Sequence, residues 1–357
     1  MTEIINEHTT LNNYYNVKNS TLLANDLINL KVTDKHKLIT FDIKDLYVNI
    51  PIQETINITK DMLQRNNDPQ TTHQILTLLK LILEQNYFRF QQQTFKPNQG
   101  VTMGSPISRL IAEIFLQYNE NKHIKQILDT KHIAFYTRYV DDILVIYDST
   151  RLSPQDIHTY INGIPQNIKL KATPEENSSI DFLDLTITRN HNRLQIDIYR
   201  KPTNTDTTIN FQSNHPTEHK IAAYRHHINR MYTLPLDQDK RQRERETIKT
   251  MGKNNNVPSQ VLHNLHHRLK YKKPRPKPET ADSNKWTTFT YHSPKIRAFT
   301  NLLKNTNISI AFRPATTTEK FLRHKTLHTT PEYDRSGIYT ISCKTCQKAY
   351  VGQTSRS

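Results

Sequence analysis

Two adjacent aspartates, Asp141 and Asp142, stand inside "YTRYVDDILVIY" (136–147), an otherwise apolar and aromatic run. A pair of charges beside such apolar surface is costly unless something neutralises it. That requirement constrains the fold more than any other feature of the chain. The flanks "HIAFYTRYV" and "DILVIYD" read as two strands that meet at the aspartates. Taken alone, the pair fits a polar hairpin turn, because Asp is a common turn residue. A further strand, "KLITFDI" (37–43), carries Asp42 near its end. Carboxylates gathered at the ends of neighbouring strands repel one another, which would raise their pKa values. A divalent cation removes the repulsion. Oxygen-only ligands with open positions favour Mg²⁺ or Mn²⁺, with substrate phosphates completing the shell.

The overall charge points the same way. Lys and Arg number 49 against 33 acidic residues, a net charge of +16. The excess suggests an anionic partner, nucleic acid before membrane, against the plainer reading of a generic basic protein. At 357 residues the chain has room for two or three domains. No apolar run approaches the roughly 18 to 20 residues that span a bilayer. The start, "MTEIINEHTTLNNYYNV", lacks the charged-then-apolar order of a signal peptide. Cys343 and Cys346 are the only cysteines, so no disulfide framework is expected and a reducing, intracellular compartment fits.

Along the chain, "TTHQILTLLKLILEQN" (71–86) has helical spacing and "YFRFQQQTF" (87–95) reads as strand or hairpin. Pro51 opens one helical stretch, and Ser105-Pro106 is expected to start another, by the N-cap and first-turn proline rules. "SPQDIHTYINGI" is a short helix, and 179–202 a hairpin turning at Asn190-His191-Asn192. After about residue 203 the composition shifts to amphipathic, basic helices in 215–236 and 257–270. Residues 271–285 are Pro-rich and polar, a linker.

Near the carboxylates, Tyr47 lies five residues after Asp42, where its ring could stand under the sugar of an incoming nucleotide; the plainer reading is a core aromatic. Gly100 and Gly104 permit close backbone approach to a base pair or template strand, or are simply turn glycines. "FDIKDLYVNIP", "QGVTMGSPIS" and "YVDD", in this order and spacing, resemble motifs A, B and C of reverse transcriptases. With "FLDLTI", "YRKPTNTD" and "NFQSNHPTEHK", the set resembles the Penelope-like retroelements, and "GIYTISCKTCQKAYVGQTSRS" resembles the opening of their GIY-YIG endonuclease.

The resemblance implies an α+β fold: a right-hand polymerase palm of antiparallel sheet and packed helices, a helical thumb, and the small α/β start of a GIY-YIG domain. It divides the chain into a fingers remnant (1–36), palm (37–202), basic thumb (203–270), linker (271–290), connector (291–335) and truncated nuclease start (336–357). It implies that Asp42 and Asp141 bind two Mg²⁺ or Mn²⁺ ions, with Asp142 as a supporting carboxylate. Tyr47 would be the sugar gate, the backbone around Lys44, Asp45 and Leu46 would hold a dNTP triphosphate, and Gln99 and Gly100 would line the nascent base pair. Phe182, Leu183 and Asp184 would grip the primer end. Either Lys169 or Lys171 would be the general acid. The partners implied are an RNA template and a DNA primer, with no membrane and no indication of oligomeric state. "KKPRPKP" could direct nuclear import, though a basic linker explains it equally well.

Departures from the family pattern set further expectations. Fingers of 41 residues before Asp42 would be short, and Arg109 stands where the family has proline. Gly337, Ile338 and Tyr339, with Tyr350, Val351 and Gly352, match the nuclease motif remnants. The nuclease arginine and glutamate are not matched, Arg356 coming too early, so endonuclease activity is not expected. Cys343 and Cys346 have zinc-ligand spacing but make only half of a structural site, so Zn²⁺ binding is not expected either. The rival readings are a non-catalytic nucleic-acid-binding remnant and a host nuclease, the latter lacking its essential residues.

Overall fold

The computed structural model describes residues 1–11, 14–90, 93–130, 132–163, 168–271, 285–303, 306–314, 337–342 and 349–354. Cys343, Cys346, Arg356, "KKPRPKP" and most of the linker and connector lie outside these residues. The chain divides into two compact units, Met1–Leu194 with His328–Ser357, and Gln195–Leu327.

In the first unit, α1 (Thr2–His8) and α2 (Ser20–Asn29) precede β1 (His36–Lys44) and the single turn of α3 (Leu46–Asn49). α4 (Ile52–Gln64) follows Pro51. α5 (Pro69–Glu84) starts at an Asp68 cap whose carboxylate accepts from the amides of Gln70 and Thr71, with Pro69 in the first turn. β2 (Phe88–Phe90) and β3 (Gln93–Phe95) pair as the expected hairpin. α6 (Ser108–Asn119) continues through a π turn (Glu120–Ile124) into α7 (Lys125–Asp129). The expected helix start at Ser105-Pro106 is therefore too early. Ser105 closes a turn instead, accepting at its carbonyl from the Ser108 amide, and the Ser108 hydroxyl donates to the Thr102 carbonyl at 2.6 Å.

β4 (Ile133–Tyr139), β5 (Asp142–Asp148), α8 (Pro154–Gly163), β6 (Lys169–Pro174), β7 (Ser179–Phe182) and β8 (Leu185–Asn190) complete the main body of this unit. The central sheet runs β4-β5-β1-β6, antiparallel at every pairing. Strand period two sends Ile39, Phe41 and Ile43 to one face, where they join Ile111 and Phe115 of α6 and Ile157 of α8 in one buried cluster. Each such side chain contributes about 1.5–3 kcal/mol by leaving water. The alternate positions Thr40, Asp42 and Lys44 face the other way. The core thus fixes where Asp42 points.

β9 (Arg193–Ile198) carries the chain into the second unit. There α9 (Thr217–Lys220), α10 (Ala222–Thr233), α11 (Gln238–Asn254) and α12 (Ser259–Lys270) bury Tyr224, Ile228, Met231, Ile248, Met251, Leu262 and Leu265. Asn255, after α11, donates to the carbonyls of Met251 (2.7 Å) and Asp206 (3.1 Å) and accepts from the Thr208 amide, pinning the incoming segment. A Cβ at Gly252 would collide with the Leu262 side chain, so glycine lets α12 close on α11. β10 (Lys285–Tyr291), α13 (Ile296–Thr300) and β11 (Ile308–Pro314) follow, the two strands pairing parallel. β12 (Gly337–Ser342) and β13 (Ala349–Thr354) form a separate antiparallel pair.

Candidate active site

The hairpin reading and the catalytic reading of Asp141-Asp142 turn out to be compatible. Val140 and Asp141 form a two-residue turn between β4 and β5, with Tyr139 opposite Asp142. Val140 has φ 57°, the left-handed region that a β-branched residue rarely enters. Two hydrogen bonds hold it there. The Arg138 guanidinium donates from Nη1 to the Val140 carbonyl at 3.1 Å, and the Ile43 amide donates to the Asp141 carbonyl at 3.0 Å. Asp42 lies directly across the β1–β5 ladder from Asp142. The backbone therefore gathers all three aspartates at one place. Their side chains do not close into a ready-made cluster: among the described residues no group of three or more His, Cys, Asp or Glu is arranged to hold a metal.

Arg138 was not among the residues singled out from sequence, yet it anchors the turn. Its side chain is fully buried. Nε and Nη2 donate to Glu120 at 2.7 and 3.0 Å, while Nη2 and Nη1 donate to Glu113 at 2.9 and 3.2 Å. Tyr136 donates its hydroxyl to Glu120 at 3.0 Å, and Asn16 and Gln117 donate to Glu113. Burial works against the Arg138 charge, but the two carboxylates outweigh it and raise its pKa. Burial likewise works against the Glu113 carboxylate, and Arg138 reverses the effect and holds its pKa below the ordinary value. The Tyr136 hydroxyl is pushed well up by burial and by the Glu120 charge. Glu120 opens the π turn, a geometry often found where a helix serves a functional site.

Tyr47 sits half-buried in α3 behind Asp45, which takes φ 50°. The amides of Val48 and Asn49 both donate to the Asp45 carbonyl, and the Leu46 side chain is buried in the core. Lys44 is exposed on the Asp42 face. Gly100 docks onto this turn with φ 75°: a Cβ there would collide with the Val48 carbonyl and lie 2.6 Å from the Tyr47 backbone carbonyl oxygen. The Val101 amide donates to that same Tyr47 oxygen at 2.7 Å, and Gln99 reaches Asn49 at 3.5 Å. We expect Gly100→Ala to lower stability by at least about 2 kcal/mol, through strain at positive φ and the forced separation of the two segments. An unchanged urea midpoint would show that the contact does not hold Tyr47.

Along the edge of the sheet, Lys171 of β6 lies across from Asp42, and Lys169 across from Lys44. A cavity of about 890 Å³ runs beside them, lined among others by Lys44, Lys169, Lys171 and His158. α8 clamps this strand: the Leu170 amide donates to Asn162 at 2.7 Å, and His158 Nε2 lies 3.1 Å from the Leu170 carbonyl. Leu183 and Asp184 form the two-residue turn of the β7–β8 hairpin, with Leu183 at φ 58° and Phe182 buried across from Leu185. Glu175 ties that hairpin to the palm strands, accepting from the Leu38 amide and from Arg189, each at 2.9 Å. Arg109 is exposed on α6. Gly337, Ile338 and Tyr339 on β12 lie across from Thr354, Gln353 and Gly352, and Tyr350 and Val351 on β13 lie across from Ile341 and Thr340.

Residues 4–175, which contain all three aspartates, match the family model of reverse transcriptase (RNA-dependent DNA polymerase). This segment is a reverse transcriptase domain. Residues 207–268, which include the basic helices α10 and α11 and all but the end of α12, match the animal helix-turn-helix domain, a nucleic-acid-binding unit. No curated protein matches the chain significantly.

Among solved structures, the telomerase of Candida albicans, determined with a fragment of telomeric RNA, is 13% identical with a TM-score of 0.53, covering 74% of this chain and 46% of that one. The apo telomerase of Candida tropicalis lacking its C-terminal domain is 17% identical (TM-score 0.42; 52% and 41% covered). The Sicinivirus RNA-dependent RNA polymerase is 13% identical (TM-score 0.40; 70% and 54% covered). Of these three, the Candida albicans telomerase shares its fold with this chain. The chain spans about half or less of the length of these structures. The antiparallel sheet with its packed helices is a right-hand polymerase palm, and the reverse transcriptase domain places its β4–β5 turn where Asp42 meets Asp142. Among the described residues, no helix is long and apolar enough to cross a membrane.

Proposed function

We propose that the chain is the polymerase portion of a Penelope-like retroelement protein, extending a DNA 3′-hydroxyl with dNTPs on an RNA template. The observation that carries this reading is the pairing of Asp42 with Asp142 across β1 and β5, with Asp141 held to the Ile43 amide beside them. Oxygen donors at two strand positions and an adjoining turn suit Mg²⁺ or Mn²⁺, with the substrate's phosphates supplying the remaining ligands. Asp42 and Asp141 would hold the ions and Asp142 would support them. Bound there, such ions lower the pKa of the attacking hydroxyl and stabilise the leaving oxygen.

The rest of the work falls to the chain itself. Lys44, Lys169 and Lys171, converging on one cavity, offer cations for a triphosphate. Lys171, opposite Asp42, is better placed than Lys169 to give a proton to departing pyrophosphate. Tyr47, locked by Gly100 and Val101, gates the sugar, and the turn at Phe182, Leu183 and Asp184 grips the primer end. The Penelope-like assignment rests on the motif set, and the strand pair bearing Tyr339 and Tyr350 supports a GIY-YIG start.

Primer extension on an RNA template with a DNA primer, Mg²⁺ or Mn²⁺ and dNTPs is the direct test. Extension is expected. Template–primer binding without any extension would instead favour the non-catalytic remnant. In the same assay Tyr47→Ala is expected to admit ribonucleotides about 10- to 100-fold more readily, since a pocket wall that excludes one hydroxyl discriminates on that scale. Unchanged discrimination would remove Tyr47 from the gate.

A further inference from the structure

The second unit holds a groove that polymerase chemistry does not use. Arg245, Lys249 and Lys253 follow one another at four-residue steps along α11, so they share a face. With Lys270 of α12 they border a cavity of about 930 Å³ whose lining contains no acidic residue. Among the described residues, the one carboxylate paired with this row is Glu246, which meets Lys249 at 2.9 Å with both side chains more than half exposed, a pair that water weakens. Four permanent cations therefore face one concavity.

Two buried nitrogens, one of them an arginine N–H donor, point to a missing partner. Among the described residues, Nε of Arg245 and Nε2 of His266 have no hydrogen-bond partner, although both atoms are shielded from solvent. Aromatic rings complete the walls. Tyr232 meets His266 edge-on at 5.6 Å and bonds its Nδ1 at 2.9 Å, and His267 lies 4.7 Å from Tyr271. Tyr271 is 61% exposed, a large ring left in water beside the cations.

We propose that the groove between α11 and α12 binds a single-stranded stretch of nucleic acid, phosphates on Arg245, Lys249 and Lys253 and a base on Tyr271. Cations that follow a backbone, interleaved with rings that accept any base face, are what an unpaired strand needs. A duplex keeps its bases stacked away from such rings, and its major groove is read by a protruding helix, whereas α12 here forms one wall of a concavity. The inference goes beyond the helix-turn-helix match, and it requires neither metal nor dNTP. It therefore stands or falls apart from the polymerase reading. Burial, then the charges of Arg245, His263, Lys249 and Lys270, hold the His266 imidazole below its ordinary pKa. His267 and Tyr232 also face it. A polyanion would reverse the charge effect, so binding should take up a proton and tighten as pH falls through the imidazole range.

The test is fluorescence anisotropy of the full chain with a labelled 15-nucleotide single strand, and separately with the matching duplex, in EDTA without nucleotides. Lys249→Gln/Lys253→Gln should weaken single-strand binding about tenfold and flatten its log–log salt slope by about 1.4, from two lost phosphate contacts. Tyr271→Ala, at an exposed ring, should weaken single-strand binding about 5- to 100-fold by loss of one stacked base and leave duplex binding unchanged. Circular dichroism melts would confirm that both variants fold. Single-strand binding unmoved by either change overturns the proposal. So does a charge variant that weakens the duplex equally while Tyr271→Ala has no effect, which would make the groove a duplex-backbone site.

Discussion

Asp141→Asn is expected to reduce nucleotide incorporation at least about a thousandfold while leaving the protein as stable as before. The substitution keeps the size of the side chain and removes the charge and one of the carboxylate oxygens proposed to hold a metal ion. Several kcal/mol of transition-state charge stabilisation goes with it, and each 1.36 kcal/mol is a factor of ten in rate. Its backbone anchors, the Ile43 amide on its own carbonyl and Arg138 on the Val140 carbonyl, do not involve the altered atoms. Single-turnover extension alongside a thermal melt separates the two outcomes. Loss of activity with an unmoved melt is the signature of a ligand. Activity within tenfold of wild type would remove Asp141 from the metal centre.

Arg138→Met is expected to destabilise the first unit by about 3–5 kcal/mol, because it leaves Glu113 and Glu120 buried without their cation. Methionine fills similar volume, so a cavity contributes little to the loss. The triple change Arg138→Met/Glu113→Gln/Glu120→Gln should recover much of it, since burying neutral amides costs less than burying charges. The pH response gives a second reading. In the wild type the Glu113 pKa lies below its ordinary 4.5, so the stability it contributes is present above that value and is lost as pH falls through the lowered one. In Arg138→Met the desolvated Glu113 carboxylate, no longer offset by the guanidinium, should have a raised pKa. The variant should therefore gain stability, relative to wild type, on going from pH 7 to 5. Urea unfolding at both values measures it. Equal midpoints for variant and wild type would show that the network does not hold the turn.

Much of the palm was legible because its signals are local. The alternation in 37–43 gives β1, and the apolar flanks of Asp141-Asp142 give β4 and β5. The start of α6 was misplaced because Ser105-Pro106 fits the general cap rule, while the chain uses those residues for a turn and begins the helix at Ser108. Arg138 escaped notice for a different reason: its partners lie 18 and 25 residues earlier, on another element. A signal was nonetheless present. Glu113, Gln117 and Glu120 fall at i, i+4 and i+7 along α6 and into the π turn that continues it, and a single arginine interrupts an apolar strand. A polar stripe and a lone opposite charge, both on buried elements, point to each other. The match to an animal helix-turn-helix domain over 207–268 is not legible in the same way, because basic residues on amphipathic helices announce charge but not how the helices turn into one another.

The hold that Arg138 exerts on position 140 has a consequence for how this centre can change over generations. The guanidinium grips the carbonyl of Val140, an atom every amino acid supplies, and makes no demand on the side chain. What the position requires is a left-handed backbone, and the network behind it can impose that on any residue but proline, whose ring fixes φ at about −65°. The residue between Tyr139 and Asp141 can therefore drift without unseating the aspartates beside it. Substitution there would alter the surface beside Asp141 and Asp142 while leaving their backbone placement as it is.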